Sequence, residues 1–250
     1  MTAAPHRPRL YDDLVSKSGW RRVIQCRAVR LIFAGTLIAS LAAIAFPGSD
    51  IRASEIFYLP GQGFPASKEP FFLGIRWLGR ALPWAVVAGL AAALAVRLVR
   101  GAPLSWLQDR ALAFVGLSMA LGPGLLVNLV LKSHWGRMRP INTDVFGGSA
   151  PFTPAWWPWG ACRANCSFVS GEASTAVVLL AFAFVAPRNW RPVIVVGSVL
   201  WTILISLNRM AFGAHYLSDV MISVGLTLLV IFVLKALILD TAEQRPPPSP

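Results

Sequence analysis

At 250 residues the chain has room for one domain. It is 56% hydrophobic and 14% charged, where a soluble domain carries roughly a quarter charged residues, which excludes an ordinary soluble fold and points to a membrane. The net charge of +12 does not make it a nucleic-acid binder: Lys and Arg fall in short clusters between apolar runs, as in cytoplasmic loops, with no basic stripe interleaved with aromatic residues.

In chain order, residues 1–28 form a basic segment with Arg7, Arg9, Lys17, Arg21, Arg22 and Arg27. Trp20, Val23 and Ile24 among these cations leave two readings open, a helix lying on the membrane and a solvated basic tail. The polar stretch is longer than the charged region of a usual signal peptide, so a retained first span is expected. Six apolar spans follow: Val29–Phe46, Leu82–Leu98, Ala111–Leu131, Ser170–Val185, Pro192–Asn208 and His215–Leu237. Most approach the ~20 residues that cross a bilayer at 1.5 Å per residue, although the fourth and fifth are short. None carries the charged stripe of a soluble bundle helix. The expected fold is all-α and polytopic, a six-helix membrane domain over residues 29–240. The Pro-rich residues 241–250 read as a disordered cytoplasmic tail.

Orientation follows from the cations. The N-terminal cluster, the Arg97–Arg100–Arg110 group and Arg188 with Arg191 share one side of a six-span chain, which makes that side, and both termini, cytoplasmic. Arg52, Lys68, Arg76 and Arg80 in the first outer loop run against this bias; the dense cluster before the first span decides the orientation. Cys162 and Cys166 then share an outward loop, where a disulfide persists, and are expected to pair. Two Cys without a nearby His make a poor zinc site.

Three segments carry chemistry, all at the outer ends of spans: Lys132 to Pro140, Ser167 to Glu172, and Asn208 to Asp219. A phosphoryl group in transfer spreads negative charge over three oxygens, which fixed cations stabilise. Lys132, Arg139 and Arg209 supply three, and the planar fork of Arg holds two oxygens at once. Ser170 and Gly171 open a helix, whose free N–H groups bind anions. His215 and Asp219, four apart, share a helix face. An Asp beside one ring nitrogen fixes the tautomer and frees the other nitrogen to attack phosphorus, giving a phosphohistidine that water then cleaves. No carboxylate cluster stands ready for Mg²⁺, so metal-independent chemistry without a cofactor is expected. Cations at membrane ends often only anchor, and a His–Asp pair is often structural. Three segments meeting on one side favour the functional reading, because charges at membrane depth are functional by default.

Lys-x6-Arg-Pro, a Ser-Gly pair opening a helix and Arg-x5-His-x3-Asp resemble the three signature motifs of the type 2 phosphatidic acid phosphatase superfamily, over about Gly124 to Asp219. The resemblance implies that Lys132, Arg139, Ser170, Gly171 and Arg209 bind phosphate, His215 attacks and Asp219 orients it. The family's second motif usually ends in a His that protonates the leaving oxygen. Here Glu172 stands in that place, with His134 as a possible substitute acid, and Asn208 replaces a usual Ser. The outer segments, Phe46 to Asp50 and Gly61 to Phe64 among them, are similar to the bacterial branch that includes lipid A phosphatases. That implies a multi-pass protein of the bacterial inner membrane with a periplasmic site and a phosphorylated lipid, foremost a lipid A-type glycolipid, as partner. No obligate protein partner is evident. Undecaprenyl pyrophosphate and then phosphatidic acid or phosphatidylglycerol phosphate are the alternative substrates. A vanadate-dependent oxidase is a rival class, disfavoured because the superfamily's haloperoxidases are soluble. A non-catalytic lipid-binding or transport protein is another, disfavoured because His215, Asp219 and the cations are all retained. Three Trp residues, Trp156, Trp157 and Trp159, suit a loop meeting lipid headgroups.

Overall fold

The structure of the protein, a computed structural model, describes residues 17–100 and 106–240. Arg7, Arg9 and the tail at 241–250 lie outside the described residues. The first described element is α1 (Lys17–Gln25), with Val23 buried and Trp20 and Ile24 exposed. It packs beside the π turn at Lys235–Leu239.

Among the described residues, five helices are long and apolar enough to cross a membrane. The first is α2 (Arg27–Ala45). After a short helix, α3 (Gly48–Glu55), comes α4 (Pro70–Arg100). Next, α5 (Trp106–Met119) runs on through a π-helical stretch (Ala120–Leu131) to His134. The apolar stretch 171–185 is shorter and is divided into α6 (Gly171–Val178) and α7 (Ala181–Val185). The last two long helices are α8 (Arg191–Ala211) and α9 (Leu217–Leu234), the latter extended by the π turn at Lys235–Leu239.

Two boundaries differ from the sequence reading. The second span begins at Pro70, twelve residues before Leu82, because Arg76 and Arg80 do not interrupt a helix, which at 31 residues is longer than the ~20 needed to cross the hydrocarbon. The fifth span has 21 residues and is no longer short. Within the π-helical stretch, Pro123 withholds a backbone N–H, and the wider π turns accommodate it. The Asn128 amide donates to the Pro123 carbonyl at 2.7 Å, so this polar group stays satisfied inside the bundle.

The centre of the bundle is α9, packed on α2, α5 and α6. Small residues permit this closeness: a Cβ on Gly225 would fall 2.3 Å from Thr36 Oγ1 of α2. Hydroxyls join α6 to α9, Ser174 to Thr227 at 2.6 Å and Ser223 donating to the Ser170 carbonyl at 2.5 Å. The faces of α2 and α8 turned away from the bundle carry exposed Leu37, Ile38, Leu41, Leu200, Ile203 and Leu207. This reversal of the soluble pattern is what a lipid solvent selects, and the chain is a multi-pass membrane protein.

Candidate active site

The three motifs meet at one end of the bundle. Lys132 follows the π stretch, Arg139 precedes a 3₁₀ turn opened by Pro140, and Arg209 lies in the last turn of α8. With Gly171 and Glu172 they line a cleft of about 480 Å³. Arg139 donates from Nε and Nη2 to the carbonyl of Asn165, at 3.1 and 2.9 Å, which holds its fork in place. Arg209 is 2% exposed; its Nη1 is buried without a hydrogen-bond acceptor, and its Nε meets the Glu172 carboxylate only as an ion pair at 3.3 Å. Leaving such a donor without an acceptor costs about 1–3 kcal/mol, a cost that an anionic oxygen in the cleft would remove.

Gly171 opens α6, with the Ser170 hydroxyl as N-cap accepting from the Ala173 N–H at 3.4 Å. A Cβ on Gly171 would stand 2.6 Å from Asn128 Oδ1, so a larger residue there would have to push aside the Asn128 amide of the π-helical stretch. Glu172 is the first acidic residue of α6, and its Oε2 lies 3.3 Å from Arg209 Nε while Oε1 lies 4.0 Å from Arg76 Nε. His134, by contrast, is exposed, bonds its ring Nδ1 to the Val130 carbonyl at 2.9 Å, and does not line the cleft.

His215 and Ser170 are buried and are not among the residues that line the cleft. The His215 ring is reached by the charges of Arg209 and Lys132. Its Nδ1 is 2.8 Å from the carbonyl of Ser167. A carbonyl only accepts, so Nδ1 carries the proton and Nε2 keeps its lone pair. Asp219 Oδ2 stands 3.8 Å from Nδ1, beyond hydrogen-bond range, so the main chain rather than the carboxylate takes the closest contact. Burial pushes His215 down to about 4, against the pull of Asp219 and helped by Arg209, which leaves a neutral imidazole at physiological pH.

The Asp219 carboxylate holds the frame around the His. It accepts from the Ser167 hydroxyl at 2.5 Å, from the Tyr216 N–H at 2.9 Å and from Arg137 Nη1 at 2.6 Å. Since Ser167 also supplies the carbonyl on His215, Asp219 acts on the ring through Ser167. Arg137 is fully buried and extends the frame: Nη2 donates to Asp50 at 2.7 Å, Nη1 also to the Ser218 hydroxyl at 2.9 Å, and Nε to the Thr153 carbonyl at 2.9 Å. Its guanidinium stacks 4.2 Å from the Tyr216 ring centroid. Burial alone would lower Arg137; the Asp219 and Asp50 carboxylates outweigh it and hold the group above its ordinary range. Asp50 in turn accepts from the Ser218 N–H and hydroxyl, at 2.8 and 2.6 Å. Sequence reasoning passed over both residues. The available signals were that Arg137 is a further cation inside the first motif and that Asp50 is a rare carboxylate at the end of an apolar span.

Around the site, Cys162 and Cys166 are joined by a disulfide with their Cα atoms 5.7 Å apart. Trp157 and Trp159 of the same loop are exposed, and Trp156 packs on Trp135 and Phe168. Among the described residues no group of three or more His, Cys, Asp or Glu could hold a metal ion.

Three cations, a helix N-terminus and a tautomer-fixed His have now been brought to one place, and known proteins share the arrangement of the chain that does this. The model of the PAP2 superfamily matches residues 111–242. The chain belongs to the PAP2 superfamily. Its relatives include a lipid A 4'-phosphatase of Rhizobium etli, 37% identical over 219 residues that cover 80% of this chain and 83% of the relative. Another, from Rhizobium leguminosarum, is 36% identical and covers 80% of this chain and 92% of its own. A third, from Francisella tularensis subsp. novicida, is 32% identical and covers 71% and 80%. Among solved structures, the PAP2-type phosphatidylglycerolphosphate phosphatase of Bacillus subtilis shares the fold, with a TM-score of 0.57 at 19% identity, over 88% of this chain and 98% of that one. This PAP2 chain is thus a membrane lipid phosphatase, a hydrolase built on the superfamily's transmembrane fold.

Proposed function

We propose that this enzyme removes a phosphate from a lipid A-type glycolipid at the periplasmic face of the bacterial inner membrane, with both termini in the cytoplasm. The observation that carries the chemistry is the 2.8 Å contact of His215 Nδ1 with the Ser167 carbonyl, which leaves Nε2 as the nucleophile. The choice of lipid is supported by the three relatives, each named a lipid A 4'-phosphatase.

In the proposed reaction, Lys132, Arg139 and Arg209 hold the phosphate oxygens with the N–H of Gly171, while the Ser170 N–H stays on the Asp219 carbonyl at 3.2 Å. His215 Nε2 forms a bond to phosphorus as the bond from phosphorus to the sugar oxygen breaks. The leaving oxygen takes a proton from Glu172, whose side chain lines the cleft beside Arg209. The phosphate arrives as its monoanion, displaces the Glu172 carboxylate from Arg209 and leaves its proton there, and this is the proton that the sugar oxygen receives. A water then gives its proton back to Glu172 and attacks the phosphohistidine, releasing inorganic phosphate and restoring His215. Developing charge meets donors already in place, the usual source of the largest catalytic term.

The test is phosphate release by purified protein in detergent, with a lipid A-type glycolipid, undecaprenyl pyrophosphate, phosphatidic acid and phosphatidylglycerol phosphate compared by kcat/KM. The glycolipid is expected to rank first and His215→Ala to abolish turnover. A preference for another lipid would refute the substrate, and ordinary turnover by His215→Ala would refute the mechanism. Impermeant thiol labelling should reach single cysteines placed between Trp156 and Trp159, and labelling near Arg188 instead would invert the orientation.

A further inference from the structure

Arg76 and Arg80 serve none of the three motifs, yet both line the same cleft. They are four residues apart on α4, so they share one face of it. The outer part of α4 is fixed to the site by packing. Ile75 is buried with Ala176 of α6 and Ile205 of α8, and the Asn208 amide donates to the Phe72 carbonyl at 3.0 Å. This places Arg76 Nε 4.0 Å from Glu172, with its guanidinium 5.7 Å from the Phe212 ring centroid. Arg80 is exposed, and among the described residues it has neither an ion pair nor a hydrogen bond.

Cations near the end of a span often reach to the headgroups merely as anchors. Two observations separate these from anchors. First, they crowd like charges: Arg76 acts electrostatically on Arg139 and Arg209, and Arg80 acts on Arg209. An anchor gains nothing from that repulsion. Second, the cleft holds five cations, Arg76, Arg80, Lys132, Arg139 and Arg209, against the single carboxylate of Glu172, a net of 5 − 1 = +4. A phosphate monoester brings about −1.5 to −2. About two positive charges then remain uncompensated, and both α4 residues stand outside the motif set that grips the transferred group.

Depth and surroundings specify what compensates them. From Ala81 to Val96 the helix has no charged residue, a run of about 24 Å at 1.5 Å per residue. Arg76 and Arg80 therefore stand at headgroup level. A neighbouring groove of α4, lined by Leu73, Trp77, Ala81 and Trp84 together with the two arginines, continues from the cleft along the lipid-facing side. It offers an apolar bed beside a cationic rim.

We infer that Arg76 and Arg80 form a second anion subsite, which takes a second phosphate-type group at headgroup depth while the Leu73–Trp84 groove takes the adjoining hydrocarbon. The group is carried either by the substrate itself or by a neighbouring anionic lipid. This deepens the phosphatase reading and rests on it for the first anion.

The test compares full-length wild type, Arg80→Gln and Arg80→Lys in neutral detergent. Three ligands are used: an acylated sugar lipid with one phosphate, the same lipid with two, and the one-phosphate lipid with added phosphatidylglycerol. KM and kcat are measured on active protein, and Kd on a His215→Asn background that does not turn over. One charge-assisted contact is worth about 1.5–3 kcal/mol, so Arg80→Gln is expected to weaken the two-phosphate lipid about tenfold or more. The one-phosphate lipid alone should weaken less than threefold, and Arg80→Lys should restore most of the loss. A selective loss confined to the mixture with phosphatidylglycerol would also support the subsite and assign its anion to a neighbouring lipid. Equal losses on all three ligands, or none on any, would overturn the proposal. Selective loss in Kd without phosphate release from any lipid by wild type would sink the phosphatase reading and leave the subsite standing.

Discussion

Removing the Arg137 side chain tests the frame that holds His215. Arg137 lies between Asp50 and Asp219 with all three side chains out of solvent. Arg137→Ala deletes both ion pairs and the bonds to Ser218 and Thr153, and leaves two carboxylates buried without their cation. Breaking a buried pair by removing one partner costs about 3–5 kcal/mol. For a chain of this size that corresponds to roughly 6–20 °C in melting temperature. Arg137→Lys keeps the charge but not the fork, so it should fall between wild type and Ala. The assay is thermal unfolding in detergent, followed by a thiol-reactive or intrinsic fluorescence probe, with Arg139→Ala as the comparison, because Arg139 meets only a carbonyl in the free protein. Arg137→Ala should melt well below Arg139→Ala, while both lose turnover. If Arg137→Ala melts within about 2 °C of wild type, less than 1 kcal/mol, the carboxylates find other partners and the proposed frame is wrong.

Three further outcomes follow from particular residues. His215 is held at about 4 in the fold against 6.5 unfolded, so the unfolded chain takes up the proton first. Stability should therefore fall as pH drops from 6.5 to about 4 and level off below, by about 3 kcal/mol from this group; a His215→Asn protein with the same acid limb would refute this. Glu172→Gln keeps the shape but cannot cycle a proton, and should lower kcat by about 10²–10⁴, more for a sugar phosphate than for a pyrophosphate with its better leaving group. A nearly silent Glu172→Gln beside a crippling His134→Ala would move the acid to the first motif. The Cys162–Cys166 bond closes a loop with a separation of only 4 residues, so reduction should cost at most about 2 kcal/mol, read as a small drop in melting temperature; a drop above 10 °C would show that the bond organises the loop.

Sequence by itself determined the solvent and pointed to the class of enzyme. Long apolar runs without a charged stripe are stable only in lipid, and in such a chain each cation at the end of a span is conspicuous. Lys132, Arg139 and Arg209 were legible for that reason; Gly171 was legible as a helix opening, His215 and Asp219 by their spacing of four, and Glu172 by standing where the resembled motif has its His. Tertiary structure alone decided the contacts that carry no local pattern. The partner of His215 Nδ1 is a main-chain carbonyl, which every residue has and no side-chain pattern announces. Asp50 meets Arg137 across 87 residues of sequence, so neither hints at the other before the chain folds. Arg76 and Arg80 looked like exceptions to a loop-charge bias, because charge in a list of loops has no direction. Only the packing of Ile75 and Phe72 against α6 and α8 turns that stretch of α4 into a wall of the cleft, where two stray charges become neighbours of Lys132, Arg139 and Arg209.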